Sequence, residues 1–302
     1  VATTTAATVR DALAAAIDAL AAVGVEEPRL DAELLLGEAM GCERAALVAE
    51  GGAGVPAPAG RRFGELVRRR LRREPVAYIL GRKGFRNLEL AVDRRVLVPR
   101  PETELLVEVA LELRPARALD VGTGSGAIAI ALADELPECE VTATDTSAGA
   151  LEVARANAER LGLAERVRIF EGTLPPVDDP SSERGYDLIL ANLPYVAERD
   201  WPSLQPEVTQ WEPREALLAG PNGLGAYRSF IPECGRLSAF YVGLTSTTLA
   251  VEVGEGQASA VGELMRAAGF VDVETRRDLA GIERVVVGRW CAASPAKGGE
   301  TA

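Results

Sequence analysis

From Ala116 to Val287, short apolar runs alternate with stretches of helical periodicity, and this alternation limits the possible folds more than any other feature. Arg117–Val121, Glu140–Thr144, Val167–Phe170, Tyr186–Ala191, Thr248–Val253, Val271–Val273 and Arg284–Val287 read as strands. Between them, Ser125–Leu136 and Gln257–Ala268 read as helices, the second closed by Gly269. Ser147 is placed to cap a further helix, with Leu151, Ala154, Ala158 and Leu161 on one face. Such alternation builds an α/β fold, a doubly wound Rossmann-like sheet that gathers ligands at the carboxyl ends of its strands.

The rest of the chain is organised differently. Residues 1–75 carry helical stripes only, with Val9, Leu13, Ile17 and Leu20 in one and Leu30, Leu34 and Leu35 opening another. Gly51–Gly60 is a loop by composition. In the helix that follows, Phe63, Leu66, Val67 and Leu71 form the apolar face, which predicts that Arg61, Arg62, Arg68, Arg69, Arg70, Arg72 and Arg73 lie on the opposite one. That face is solvated in the favoured reading and a docking surface for an acidic or RNA-associated partner in the other. Residues 76–100 read as a short-strand linker or hairpin, with strands at Leu88–Val92 and Val96–Val98 stopped by Pro99-Arg100-Pro101. Residues 101–290 form the α/β domain, and 291–302 read as a flexible tail.

Two motifs sit at strand ends. The first is Asp120-Val-Gly122-Thr123-Gly124-Ser-Gly126. Its glycines permit a tight strand-to-helix turn and close approach of a ligand to the backbone, and the helix N-terminus offers N–H groups to an anion. Asp145 ends the next strand, where a carboxylate can accept hydrogen bonds from ribose hydroxyls. A dinucleotide or S-adenosylmethionine would suit such a loop. The second motif, Asn192-Leu193-Pro194-Tyr195, combines an amide, a restrained backbone and an aromatic ring. These groups can hold a planar NH2 by its hydrogens and press a ring against it.

Composition narrows the chemistry. The 302 residues contain no histidine, which excludes a Ser-His-Asp triad and a histidine proton shuttle. Cys42, Cys139, Cys234 and Cys291 form no CxxC pair, which fits a reducing cytoplasm. Arg10, Asp11 and Asp18 argue against a signal peptide, and no apolar run reaches the roughly 20 residues of a membrane span. A net charge of −12 opposes stable nucleic-acid binding. A cytoplasmic monomer is expected.

Asp120-x-Gly-x-Gly-x-Gly followed by Asn-x-Pro-Tyr resembles the amino-group methyltransferases that use S-adenosylmethionine. Glu74–Gly81, Leu97–Glu104, Glu212-Pro213 and Asn222-Gly-Leu224 extend the resemblance over nearly the whole chain to the release factor glutamine methyltransferases, the HemK/PrmC family. That resemblance implies a class I methyltransferase sheet with a small all-helical N-terminal domain for substrate recognition. It implies S-adenosyl-L-methionine as cofactor, leaving as S-adenosyl-L-homocysteine, and peptide chain release factors as protein substrate. The methyl group would go to the side-chain amide nitrogen of the glutamine in their Gly-Gly-Gln motif. Pro99, Arg100, Asp120, Gly122, Thr123, Gly124, Gly126, Asp145 and Asn192 would hold the cofactor. Asn192, Leu193, Pro194 and Tyr195 would hold the substrate, with Asn192, Pro194 and Tyr195 in the catalytic part. Asn192 Oδ1 and the carbonyl of Leu193 would each accept one amide hydrogen, and Tyr195 would pack on the amide. Trp201 and Trp211 are expected to pack or to anchor a loop.

Three departures stand out. Leu193 replaces the family's proline but keeps its carbonyl, and Pro194 holds that carbonyl in an extended conformation. Thr173 stands where an acidic residue commonly meets the adenine, with Glu171 nearby to substitute. Arg236–Ser246 replaces a short glycine turn with an apolar stretch, which reads as a strand edge or an altered loop. The competing functions are a glutamine methyltransferase for a ribosomal protein, a nucleic-acid adenine amino methyltransferase, and a cofactor-binding protein that docks on the translation machinery without catalysis.

Overall fold

The computed structural model describes residues 7–176, 185–240 and 246–291. The chain divides into two compact units, one of Val1–Arg82 with Gln205–Trp211, the other of Lys83–Leu204 with Glu212–Ala302.

The first unit is helical: α1 (Val9–Ala22), α2 (Pro28–Met40), α3 (Arg44–Ala49), α4 (Ala57–Leu71), α5 (Val76–Leu80) and the late segment α9 (Pro206–Trp211). Thr8 opens α1 with a capping box, its hydroxyl accepting from Asp11 N–H while the Asp11 carboxylate accepts from Thr8 N–H. Val9, Leu20, Leu35, Leu36, Leu47 and Leu66 are buried together in the core. Helix α4 starts inside the stretch expected to be loop, because a proline in its first turn costs no hydrogen bond. Tyr78 likewise belongs to a helix. The N–H groups of Tyr78 and Ile79 turn back to Pro75 O, and Gly81, at φ 72°, ends the turn before strand pairing begins.

The arginines of α4 do not all face solvent, as the apolar stripe predicted. Arg61, Arg62, Arg68 and Arg72 are exposed, but Arg70 is buried. Arg70 Nε donates to Asp31 at 2.6 Å and its Nη2 lies 2.6 Å from Glu207. Arg73 takes the other oxygen of Glu207 at 2.6 Å and caps the end of α1 through Val23 O and Gly24 O. Arg69 pairs with Glu74. Two arginines and two acids thus close a buried, charge-balanced cluster. Periodicity could not reveal it, since Glu207 lies more than a hundred residues downstream.

In the second unit, β1 (Arg82–Phe85) and β2 (Leu88–Ala91) pair as a small sheet. Val96–Val98 is not a strand. Val96 N–H closes a turn on Asp93 O and Val98 N–H donates to the Glu212 carboxylate at 3.4 Å, so neither serves a sheet. After a 3₁₀ turn at Pro101–Thr103 come α6 (Glu104–Leu113), β3 (Arg117–Val121), α7 (Ala127–Glu135), β4 (Glu140–Asp145), α8 (Ala148–Arg160), β5 (Val167–Glu171) and β6 (Leu188–Ala191). Then follow α10 (Gly225–Phe240), β7 (Ser246–Glu252), α11 (Ala258–Ala267), β8 (Val271–Arg277) and β9 (Glu283–Cys291). The expected altered loop at 236–246 is in part helix, since α10 continues to Phe240. Residues 241–245 lie outside the described residues, as does the expected tail beyond Cys291.

The seven strands run in the order β5-β4-β3-β6-β7-β9-β8. The first five are parallel, and β9 and β8 close the edge antiparallel. Side chains alternate between two cores: Ala118, Leu188 and Leu190 pack with α6 and α7, whereas Leu119, Ile189 and Ala191 pack with α10 and α11. From β3 the chain winds outward through β4 and β5, then returns to the other side of β3 as β6. The crevice between β3 and β6 is therefore the topological switch point, where such sheets bind ligands.

Arg70→Ala should destabilise the helical unit by about 3–5 kcal/mol, because Asp31 and Glu207 are left buried with less compensation. Arg61→Ala should fall within about 0.5 kcal/mol. Urea titration followed by circular dichroism measures both.

Candidate active site

Register brings the two motifs together. Val121 pairs with Ala191, so the glycine loop and Asn192 leave adjacent strands side by side. Val121 also pairs with Thr144 on β4, which brings Asp145 to the same edge. A cavity of about 310 Å³ opens there, lined among others by Pro99, Arg100, Gly122, Thr123, Gly124, Asp145, Asn192, Leu193 and Pro194. That volume lies at the small end of small-molecule sites.

The loop is held from below. Asp120 is fully buried, and its Oδ2 accepts from Thr123 Oγ1 at 2.6 Å and from Ala129 N–H at 3.1 Å. Burial pushes its carboxyl up to about 7, against the pull of those two bonds. Asp120 is thus a brace under the loop and not part of the cavity wall. Gly126 is also beneath the surface, at φ 83°, where a Cβ would stand 2.7 Å from Ile130 Cδ1. Gly124, at φ 57°, has open space where its Cβ would be. Asn157, buried in α8, fixes the loop from the side by donating to Ser125 O and Ala91 O.

Asp145 accepts from Gly124 N–H and Ser147 N–H, both at 2.9 Å, one on each carboxylate oxygen. Each oxygen keeps lone-pair capacity for the hydroxyls of a ribose. The open space beside Gly124, the first turn of α7 and this carboxylate match an adenosyl group joined to an amino acid. Gly172 and Thr173 also line the cavity, whereas Glu171 is exposed and does not. Glu171 ends β5 outside the cavity wall, so it does not take the place of the acidic residue that Thr173 displaces.

Across the cavity, Arg100 is fixed by Glu212 at 2.6 Å, and the same carboxylate receives Val98 N–H. The acceptor loop is pinned on its far side. Gln257 Nε2 donates to Tyr195 O at 2.9 Å, and Val196 and Glu198 N–H donate to Leu217 O and Gly220 O. Gly223 must be glycine: at φ 72°, its Cβ would lie 2.3 Å from Tyr195 O. Leu193 sends its side chain into the core shared with α10 and α11, and its carbonyl accepts no hydrogen bond among the described residues. Tyr195 is half-buried behind the loop, with its hydroxyl 3.5 Å from Glu252, and is not part of the cavity wall. Trp201 packs under the Arg214 guanidinium, 5.2 Å from its ring centroid.

Glu252 and Phe230 are not singled out by sequence, and Thr103 and Glu212 enter only within family blocks, with no role assigned. Glu252 carried a readable signal, an acidic residue at the carboxyl end of a buried strand, as at Asp120 and Asp145. Phe230 and Glu212 gave none beyond their family blocks or helix periodicity.

Fold and site together define a class I, S-adenosyl-L-methionine-dependent methyltransferase. Residues 11–81 match the PrmC N-terminal domain, and residues 101–208 match the Methyltransferase small domain. The chain is 42% identical to the release factor glutamine methyltransferase of Geobacter sulfurreducens, over 89% of this chain and 92% of that protein. It is 39% identical to that of Caulobacter vibrioides, over 91% and 93%. Among solved structures, the hMettl16 catalytic domain in complex with MAT2A 3'UTR hairpin 6 shares the fold, with a TM-score of 0.53, 15% identity and coverage of 68% and 76%. The chain belongs to the release factor glutamine methyltransferase family.

Asp145→Ala should weaken S-adenosylmethionine binding by about 10–100-fold, the worth of hydrogen bonds to a charged acceptor. Asp145→Asn should lose less, because it keeps one acceptor. Isothermal titration calorimetry distinguishes the two; equal affinity in all three proteins would remove Asp145 from the cofactor site.

Proposed function

We propose that this protein methylates the side-chain amide nitrogen of the Gly-Gly-Gln glutamine in a peptide chain release factor, in the cytoplasm and as a monomer. The observation that carries this is the single cavity shared by the glycine loop, Asp145 and Asn192. Family membership supports the substrate. The cofactor, when bound, supplies an electrophilic methyl group on a sulfonium that leaves as a neutral thioether.

The protein's own residues must do the rest. An amide nitrogen is a weak nucleophile because its lone pair is delocalised into the carbonyl. In this reading Asn192 Oδ1 and Leu193 O each accept one of its hydrogens, which returns electron density and turns the nitrogen toward the methyl group. Neither oxygen accepts a hydrogen bond among the described residues, so both are available. No strong base is needed before attack, because the cationic N-methylated amide is strongly acidic and gives up its surplus proton to water, consistent with a site built without histidine. Alignment can lower the barrier by at most about 7–11 kcal/mol, and preorganised acceptors add an electrostatic contribution. Asp120, Asp145 and the glycines would orient the cofactor, and Pro99 and Arg100 would border it. Pro194 keeps Leu193 extended. Tyr195 would have to turn its ring edge toward the substrate from behind the loop.

Purified protein and S-adenosylmethionine, incubated separately with release factor, ribosomal protein and DNA, should methylate a release-factor glutamine, located by mass spectrometry. Transfer only to DNA, or to nothing, would sink the proposal; transfer only to a ribosomal protein would move it to that substrate. Asn192→Ala should lower turnover about 10²–10³-fold, as loss of a preorganised polar contact does, with cofactor affinity retained by calorimetry.

A further inference from the structure

From Asn192 a chain of hydrogen bonds runs through Thr103, itself in the cavity wall, into the core. Asn192 Nδ2 is 3.0 Å from Thr103 Oγ1, and Thr103 Oγ1 is 2.6 Å from Glu252 Oε2. Thr103 is 4% exposed and Glu252 2%. They come from separate elements, the 3₁₀ turn before α6 and the end of β7, the strand beside β6. Glu252 is held in turn by its backbone, whose carbonyl accepts from the buried Tyr227 hydroxyl at 2.7 Å.

A hydroxyl has one proton. An ionised Glu252 can only accept, so Thr103 spends its proton there and meets Asn192 through a lone pair. The amide atom facing Thr103 must then be the NH2 group, which leaves Oδ1 for the cavity. A proton on Glu252 removes that constraint. The acid can donate to Thr103, Thr103 can donate to Asn192, and the amide turns its NH2 toward a substrate that also presents NH2. One orientation accepts the substrate's hydrogen; the other repels it.

We propose that Thr103 and Glu252 are positioning residues, a polarity relay that fixes the Asn192 amide with its oxygen toward the substrate nitrogen. The proposal rests on the reading of Asn192 as an acceptor given above. Burial, partly offset by the Thr103 bond, raises Glu252 to about 7, with Glu102 adding to the rise and Arg284 opposing it. Tyr195 and Tyr227 face it as hydroxyls, both held neutral by burial. The ionised relay is thus formed above about 7 and lost as pH falls through that value.

The test measures kcat on release factor at saturating cofactor, with cofactor affinity by calorimetry as the check of folding. Thr103→Val, which keeps the shape and deletes the hydroxyl, should lower kcat about 10²-fold, the effect of a small misplacement, and leave cofactor affinity unchanged. Thr103→Ser should restore turnover to near wild type. The wild-type kcat should fall on the acid side of about pH 7, and Glu252→Gln should have a lower plateau without that limb. Asp120 titrates in the same range but braces the cofactor loop, so its protonation registers in cofactor affinity. Wild-type turnover in Thr103→Val, equal impairment in Thr103→Ser, or an acidic limb that persists in Glu252→Gln each overturns the relay while Asn192→Ala remains impaired. Should Thr103→Val fail to bind cofactor, Thr103→Ser and the Glu252→Gln profile decide alone. Full turnover in Asn192→Ala instead overturns the acceptor role on which the relay rests.

Discussion

The pairing of β3 with β6 is the constraint on which the rest of this structure depends. Ladder hydrogen bonds between two parallel strands set the register of Val121 and Ala191. That register decides that a glycine loop and an amide loop, about seventy residues apart in sequence, share one cavity. A slip of one residue would turn Leu188 and Leu190 from one core to the other and send Asn192 to the wrong side. The two hydrophobic cores therefore enforce the geometry of the site as well as the stability of the sheet. Asp120, Asn157, Gln257 and Gly223 then hold the loops that the strands only deliver.

The fold was largely legible because the periodicities are strong and local. Strands β3 to β6, the cap at Ser147, whose hydroxyl accepts from Ala150 N–H at 3.2 Å, and the stop at Gly269, at φ 91° after α11, follow from spacing and from the chemistry of single residues. Failures arose where a distant partner decided the outcome. Val96–Val98 has a strand's composition but gives a backbone N–H to Glu212. Arg70 has a surface residue's chemistry but finds Asp31 and Glu207. Tyr78 belongs to a short helix because Pro75 accepts its first hydrogen bonds.

The site was legible in its motifs and illegible in its supports. Gly124, Asp145 and Asn192 are where strand ends predict. Asp120 and Gly126 share their motif but work one layer deeper. Tyr195 too stands behind the surface it was expected to form. A motif records which residues are needed together, not which atoms face the ligand. Thr103 and Glu252 show the same limit from the opposite direction, since each becomes meaningful only when the other is placed beside Asn192.

The cluster of Arg70, Arg73, Asp31 and Glu207 has a consequence for how this architecture can be rearranged. One of its four charges is supplied by Gln205–Trp211, a segment threaded back from the middle of the catalytic half of the chain. The helical unit is therefore not a detachable cassette. A gene fragment ending at Arg82 would encode both arginines and Asp31 but not Glu207, leaving a buried positive excess. Grafting the unit onto another enzyme would require that enzyme to return an acidic residue to the same place. The helical unit is completed by a segment that the chain supplies late, and shuffling at the obvious boundary would break its internal charge balance.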